Sequence, residues 1–219
     1  MAEMRTEEEQ VEAIKNWWKK NGGSLLTGIA VALAIVFGWQ AWQNHQAQQR
    51  TEAANQFGNL LNTFTSEDAK DKGETINFLA TQLREEFGDS AYAIYGTLIL
   101  ARYQLMEQQD AAAASDSLKW ALKKTAREHP LRLIVLSRLA RAQFAAEDYA
   151  SALATLDQAG ETGSFTAIFQ ELRGDILLAN GDTDGAREAY LAARAATGLD
   201  QRVGILELKL ADLGVGEEA

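Results

Sequence analysis

The feature that most constrains this chain is a stretch without formal charge between Lys20 and Arg50. Within it, Leu25–Trp42 is apolar apart from Thr27 and Gln40. A helix needs about 20 predominantly apolar residues to cross the hydrocarbon core of a bilayer. The stretch therefore predicts a single transmembrane helix near the start of the chain.

Tryptophans flank this stretch on both sides. Trp17 and Trp18 precede it, and Trp39 and Trp42 lie at its end. At ~1.5 Å per helical residue, Trp18 and Trp39 are roughly 31 Å apart, which places an indole at each membrane interface. We therefore assign residues 22–43 to the membrane span.

The charges beside the span predict its orientation. Lys15, Lys19 and Lys20 precede it, whereas only Arg50 follows before Lys70. Lysine and arginine near a span are retained in the cytoplasm, and acidic residues contribute little. We expect a cytoplasmic N-terminus and a translocated C-terminal part.

A cleaved signal peptide is the alternative interpretation of the apolar stretch. Three features argue against it. The stretch is longer than the apolar region of a signal peptide, the arm before it is acidic, and tryptophans stand where small residues would precede a cleavage site. An uncleaved anchor is the better interpretation.

Composition excludes several classes of function for the remaining residues. The net charge is −10, and because residues 1–50 hold five acidic and five basic residues, all of it falls beyond Arg50. Such an acidic domain lacks the basic footprint of a nucleic-acid-binding protein. The chain contains no cysteine, which excludes disulfides and thiol chemistry.

The arm and the span each carry a pattern that suits helix contacts. Thr6 and Glu9 have the spacing of a capping box, which predicts that a helix begins there. This N-terminal arm before the span is either a partner-docking helix or an amphipathic segment at the membrane interface. In the span, Ala30, Ala34 and Gly38 recur every four residues, a spacing that allows another helix to approach closely.

The part beyond the span predicts helices throughout and contains an internal repeat. Apolar residues recur at helical spacing in residues 51–64 and 75–87. Further on, two sets of mostly small residues are related by a shift of 34 residues, and so are the turn residues Asp148 and Asp182. The two sets are Ala140, Ala152, Leu156 and Ala159, and Gly174, Ala186, Tyr190 and Ala193. This spacing is typical of tetratricopeptide repeats.

A looser earlier unit precedes these two, and a closing helix follows them. The earlier unit contains Ala101, Ala114, Leu118 and Ala121, and Leu199–Leu213 resembles a capping helix. We therefore predict an all-α protein, in which one transmembrane helix is followed by a tetratricopeptide-like α-solenoid. The predicted segments are a cytoplasmic arm (1–21), the span (22–43), a linker with leading helices (44–90), and repeats with a cap (91–219).

Residues that carry chemistry are scarce. Asn180, Asp182 and Asp184 imitate the start of a calcium loop, but its final position, which needs a glutamate, is Leu191. The two histidines are far apart and lack the spacing of metal ligands. We predict no catalytic residues, no metal site, no cofactor and no small-molecule substrate, and hence not an enzyme.

The first helices of the repeat pairs line the concave surface of such solenoids, and their inward positions predict a binding groove. The leading candidates are Leu98, Arg102, Leu105, Ile134, Arg141 and Phe144. Further inward positions are Ser137 in the second unit and Ile168, Glu171, Asp175 and Leu178 in the third. The groove is expected to be mixed in character, without the converging cations that a peptide's terminal carboxylate would require. In the alternative interpretation, its apolar residues are buried between helices.

Several stretches resemble the YfgM family of ancillary subunits of the bacterial Sec translocon. The stretches are EEQVEAIKNWWKKNG, GWQAWQNHQ, LSRLARAQ and ELRGDILLANGDTDGAR. The resemblance implies a single-pass inner-membrane protein with a periplasmic tetratricopeptide-like domain. It further implies association with SecYEG and the chaperone PpiD, and assistance to newly exported client proteins. The family supplies no catalytic residues.

We therefore expect a periplasmic chaperone or chaperone adaptor. Two alternatives remain: a structural scaffold for another envelope complex, and a membrane-bound regulator acting through its cytoplasmic arm. A scaffold would bind a folded partner but not unfolded polypeptide. A regulator would lose function when residues 1–20 are exchanged for an unrelated basic arm.

Overall fold

The computed structural model describes residues 7–67, 71–197 and 203–215, which form nine α-helices and no β-strand. The all-α prediction is confirmed. The helices are α1 (Glu7–Thr65), α2 (Lys72–Glu86), α3 (Ala91–Met106), α4 (Ala111–Lys124), α5 (Arg132–Ala145), α6 (Tyr149–Asp157), α7 (Thr166–Ala179), α8 (Thr183–Thr197) and α9 (Val203–Asp212).

Helix α1 runs without a break through the positions where the sequence suggested boundaries, at residues 21/22 and 43/44. The residues that follow the apolar stretch are mainly Gln, Ala and Glu, which favour helix. Gly22 is covered by the ring of Trp18, from which a Cβ at this position would be 3.2 Å away. Thr6 of the predicted capping box lies outside the described residues.

The apolar part of α1 has the length and composition to cross a membrane, with a mean hydropathy of 1.8 over an 18-residue window. Its large side chains, among them Ile29, Val31 and Phe37, are exposed along the helix. The rings of Trp39 and Trp42 lie together at its end, with centroids 5.1 Å apart. This segment contributes no side chain to the four apolar clusters of the described core.

Residues from Ala53 onwards form a separate compact unit, in which each helix from α2 onwards packs against the next one along the chain. The unit begins with the last turns of α1, where Leu60 is fully buried among α2 and α3. Ile76 and Leu83 of α2 and Leu100 of α3 belong to the same apolar cluster. The leading helices therefore extend the stack formed by the repeats.

The predicted 34-residue repeat is visible in the helix boundaries. Helices α5 and α7 begin 34 residues apart, and so do α6 and α8. Ala152 and Ala186, which the repeat makes equivalent, both have no exposed surface. Ala114 of α4 is likewise fully buried, so α3 and α4 form the looser first pair. The tetratricopeptide-like arrangement of three helix pairs is thus confirmed.

The turn within each pair has the same structure in all three pairs. A residue with positive φ precedes an aspartate, whose carboxylate accepts a hydrogen bond from the backbone N–H three residues later. This aspartate caps the second helix of the pair. The residues are Gln109 (φ 53°) before Asp110, Glu147 (58°) before Asp148, and Gly181 (89°) before Asp182.

Helix α9 packs on α8 and closes the unit. Leu206 and Leu210 are buried against Tyr190 and Ala193 of α8. The sequence predicted a closing helix over residues 199–213; the observed helix begins at Val203, and residues 199–202 lie outside the described residues.

Candidate functional site

Two helices, α3 and α5, carry the side chains of the candidate site. Arg102 and Leu105 lie on the last turns of α3, whereas Arg138 and Arg141 lie one turn apart on α5. Helix α4 packs against both α3 and α5, and its Leu118 lines the same pocket. The site is therefore formed where the first and second helix pairs meet.

Buried hydrogen bonds between side chains fix the two pairs. The Ser117 hydroxyl of α4 donates to Oε1 of Gln104 on α3, at 2.9 Å. In the second pair, the Thr155 hydroxyl of α6 donates to Oε1 of Gln143 on α5, at 2.7 Å. Because buried polar groups are costly to leave unpaired, each bond holds its pair in one register. The arginines are thus presented from a rigid support.

A pocket of about 210 Å³ lies between these helices. Four of its lining side chains are apolar and three are arginines. The lining residues are Ala101, Leu105, Met106 and Leu118, and Arg102, Arg138 and Arg141. Met106 is 67% exposed. The site thus combines an apolar wall with positive charge.

The three arginines repel one another. Partial burial lowers the pKa of the Arg138 guanidinium, and the charges of Arg102 and Arg141 lower it further. The Arg102 guanidinium lies over the ring of Phe64, 5.7 Å from its centroid. Among the described residues, no carboxylate forms an ion pair with any of the three arginines. The site therefore carries an uncompensated positive charge.

The structure separates the six leading groove candidates. Arg102, Leu105 and Arg141 come together around the pocket. Leu98 instead belongs to the buried core of the first two pairs, and Ile134 packs against the same core. Phe144, which the sequence placed in the groove, packs on the second and third pairs, with its ring centroid 6.0 Å from that of Tyr149.

Sequence reasoning missed Arg138. The repeat register pointed to Ser137 as the inward residue, but Ser137 is buried and its hydroxyl donates to the backbone carbonyl of Ile134 at 3.0 Å. The neighbouring Arg138 faces the pocket instead. Its spacing of three residues from Arg141 was the available signal, because residues three apart share a helix face. The expectation that converging cations are lacking is therefore wrong.

In the third unit, Lys209 of α9 contacts two of the predicted inward residues, Glu171 and Asp175. Lys209 donates hydrogen bonds to Glu171 at 2.8 Å and to Asp175 at 2.6 Å. Burial alone would lower the pKa of Lys209, but these carboxylates outweigh it and raise that pKa. The Tyr190 hydroxyl also donates to Asp175, and burial together with that carboxylate raises the pKa of Tyr190. Ile168 remains half-buried and Leu178 exposed.

The residues that imitated a calcium loop serve local structure. Asp182 accepts a hydrogen bond from the backbone N–H of Gly185, and Asp184 pairs with Arg187 at 2.6 Å. His129 Nδ1 accepts a hydrogen bond from the backbone N–H of Leu131. Within the described ranges, no group of three His, Asp or Glu residues could hold a metal ion.

The small residues of the span leave an open face on α1. Ala30, Ala34 and Gly38 are all exposed. A Cβ added at Gly38 would meet no atom within 4 Å, apart from the backbone of its own helix and its chain neighbours. The position of Gly38 therefore has open space on its exposed side.

Comparison with known proteins agrees with this architecture. Residues 15–215 match the model of the family described as a tetratricopeptide repeat-like domain. A protein of Haemophilus influenzae named ancillary SecYEG translocon subunit is 32% identical over 95% of this chain and 98% of its own length. A protein of the same name from Escherichia coli is 29% identical over 95% of this chain and 97% of its own length. Another of that name, from Aggregatibacter actinomycetemcomitans, is 30% identical over 97% of this chain and 100% of its own length.

No solved structure matches the chain. The similarity to the named relatives nevertheless spans both the apolar helix and the repeats, and it extends over nearly their whole length. The chain therefore belongs to the tetratricopeptide repeat-like YfgM family.

Proposed function

We propose that this protein is an ancillary subunit of the SecYEG translocon, anchored in the inner membrane by α1 and not an enzyme. The observation that carries the proposal is the 32% identity to a relative of that name over 98% of the relative's length. The repeat architecture supports it, because stacked helix pairs offer extended surfaces for binding other proteins.

We further propose that residues 1–21 form a cytoplasmic arm and that residues 22–43 span the membrane. Residues 44–90 would then connect the span to the repeats, and residues 91–219 would act in the periplasm. Three lysines before the span against a single arginine after it support this orientation. The resemblance to the YfgM family supports the same placement.

The periplasmic domain, in this proposal, acts with PpiD as a chaperone or chaperone adaptor for newly exported proteins. A domain tethered beside a channel meets the emerging polypeptide at a high effective concentration, so weak contacts suffice. The pocket between α3 and α5, with exposed Met106 and half-buried Leu105, offers such contacts. The open face of α1 at Ala34 and Gly38 would serve the membrane partners.

In-cell crosslinking of the full chain tests this division. A groove variant combines Leu105→Ala with Met106→Ala, and its matched control is Phe78→Ala, which removes a 65% exposed apolar side chain from α2. A span variant combines Ala34→Leu with Gly38→Leu. Crosslinks to SecYEG, to PpiD and to a secreted client are measured for each at equal protein levels.

The groove variant is expected to lose client crosslinks, and the span variant to lose crosslinks to SecYEG and PpiD. The Phe78→Ala control should retain both. Unchanged crosslinking in both variants would contradict the division of labour and favour a scaffold that uses another surface. Absence of SecYEG crosslinks from the unaltered protein would refute the proposed function itself.

A further inference from the structure

The closing helix α9 has two opposite apolar faces. Leu206 and Leu210 on its inner face are buried against α8, whereas Ile205 and Leu208 on its outer face are 64% and 68% exposed. We propose that the outer face joins two copies of the chain, whose α9 helices pack against each other, antiparallel, about a twofold axis at Leu208. This inference goes beyond the proposed function, from which it takes only the membrane anchor.

The outer face of α9 differs from the usual end of a helical solenoid. A terminal helix normally has a polar outer face, because no further repeat covers it. Among the residues described beyond Ala53, α9 is the only helix with two exposed large aliphatic side chains; Met106 of α3 and Leu178 of α7 stand singly. Ile205 and Leu208 are three positions apart and therefore share one face. This end of the unit thus suits further helix packing.

A second α9 complements this face in size. In an antiparallel pair about an axis at Leu208, the residue three positions before Leu208 in one copy faces the residue three positions after it in the other. These residues are Ile205 and Ala211, both exposed. A large side chain therefore meets a small one at two symmetric places, an arrangement that lets facing side chains interdigitate.

A second α9 also complements this face in charge. Asp212 lies in the last turn of α9, where the negative end of the helix dipole disfavours a carboxylate. Among the described residues, no lysine or arginine forms an ion pair with Asp212. In the antiparallel pair, Asp212 faces Gly204 in the first turn of the other α9, where backbone N–H groups without helical partners favour a carboxylate. Gly204 has no side chain to obstruct this approach.

The contact is small and therefore suits copies anchored side by side. Helix α9 has 10 residues, a length of about 15 Å. A pair of such helices would bury less than the roughly 1,200 Å² at which stable interfaces begin, so free domains would associate weakly. Chains anchored in one membrane meet at a high effective concentration, which strengthens a weak contact. The full chain in its membrane is therefore the form to test.

Disulfide crosslinking in isolated membranes tests the pair, and the chain suits this method because it contains no cysteine. Two full-length forms with different tags are produced together, each with Leu208→Cys. The matched control is Phe78→Cys, at a residue of similar exposure on α2. We expect the Leu208→Cys forms to yield about tenfold more dimer containing both tags, because cysteines at a twofold axis come within reach of a disulfide.

Two further cysteine variants test the antiparallel register. One tagged form carries Gly204→Cys, the other carries Asp212→Cys, and a short bismaleimide is added. We expect this mixed pair to crosslink about fivefold more than either variant with itself, because only the mixed positions face each other across the axis.

A charge placed in the contact tests its apolar part. Adding Ile205→Glu to the Leu208→Cys forms should reduce the dimer about fivefold, because the contact would then bury a carboxylate. Adding Phe78→Glu is the matched control and should leave the dimer unchanged. Melting temperatures should not change in any of these variants, because each substituted residue is exposed.

Equal dimer yields from Leu208→Cys and Phe78→Cys would overturn the proposal, and so would a crosslink from residue 208 to a different protein in place of a second copy. A preference of residues 204 and 212 for self-crosslinks would exclude the antiparallel pair. Crosslinking of the unaltered chain to SecYEG is scored separately, so loss of the α9 contact would leave the translocon assignment standing.

Discussion

At the scale of single residues, equivalent positions in two repeats fill the same space with different side chains. In the second pair, Ala140 and Leu156 are buried where the helices meet; in the third, Gly174 and Tyr190 take their places. A Cβ at residue 174 would overlap the Tyr190 ring. The missing methyl group of the glycine therefore makes room for the tyrosine, whose hydroxyl reaches Asp175 at 2.8 Å.

We expect Gly174→Ala to destabilise the domain by about 1–3 kcal/mol, because the added methyl overpacks a buried contact. Combining it with Tyr190→Leu recreates the Ala–Leu pair of the second repeat. The double variant should therefore be more stable than the sum of the two single changes predicts. Denaturant unfolding of the full chain measures the free energy of unfolding of the two single variants and the double variant.

Gly58→Ala is the control for Gly174→Ala, since a Cβ at residue 58 meets nothing within 4 Å outside its own helix backbone and chain neighbours. A helical glycine replaced by alanine should gain up to about 1 kcal/mol. If Gly174→Ala proved as harmless as Gly58→Ala, close contact between residues 174 and 190 would not occur in solution.

At the scale of helices, the 34-residue repeat makes Ala152 of α6 and Ala186 of α8 equivalent buried positions. Replacing either by leucine should cost about 1–3 kcal/mol, because neither helix pair has space for a larger side chain. Exposed Ala154 of α6 and exposed Ala192 of α8 provide matched controls, and leucine there should change stability by less than about 0.5 kcal/mol.

The melting temperatures of the four alanine-to-leucine variants test this equivalence. We expect lowered melting temperatures for the two variants at buried positions and unchanged melting temperatures for the two at exposed positions. A similar shift for all four would mean that the positions 34 residues apart do not share an environment.

Periodic apolar and small residues were sufficient to predict these helix pairs. The spacing from Asp148 to Asp182 fixed the turns, because each aspartate caps the helix that follows it. The orientation of single side chains was less predictable. Successive helical residues point about 100° apart, so an error of one position exchanges buried Ser137 for exposed Arg138. The pocket's third arginine was missed for that reason.

The uninterrupted course of α1 was equally hard to predict. Asn21, Gly22 and Gly23 are weak helix formers, and a change from apolar to polar residues near position 43 resembles a linker. In the structure, the Trp18 ring covers Gly22, and the glutamine-rich residues that follow continue the helix. The change in composition indicates where the predicted membrane-spanning part of the helix ends, whereas the helix propensity of the following residues determines where the helix itself ends.

At the scale of the whole molecule, the charge distribution separates an apolar helical segment from an acidic domain. The net charge of −10 arises beyond Arg50, and a net charge of this size favours solubility in a domain that exposes apolar residues such as Met106. In the proposed function, tethering to the membrane raises the effective concentration of the domain around partners in the same membrane. A modest affinity in the pocket would then be enough for binding, and bound chains could still be released.

The tethered arrangement predicts one orientation, with the N-terminus inside and residues beyond about Arg50 outside. It follows from Lys15, Lys19 and Lys20, because translocating these three charges is disfavoured and Arg50 alone opposes them. Protease added to spheroplasts should digest the C-terminal domain and leave a short N-terminal fragment. A cytoplasmic protein probed in the same sample must stay intact, and full protection of the C-terminal domain would contradict the predicted orientation. Changing the three lysines to glutamine while placing three lysines after Trp42 should reverse the protection pattern.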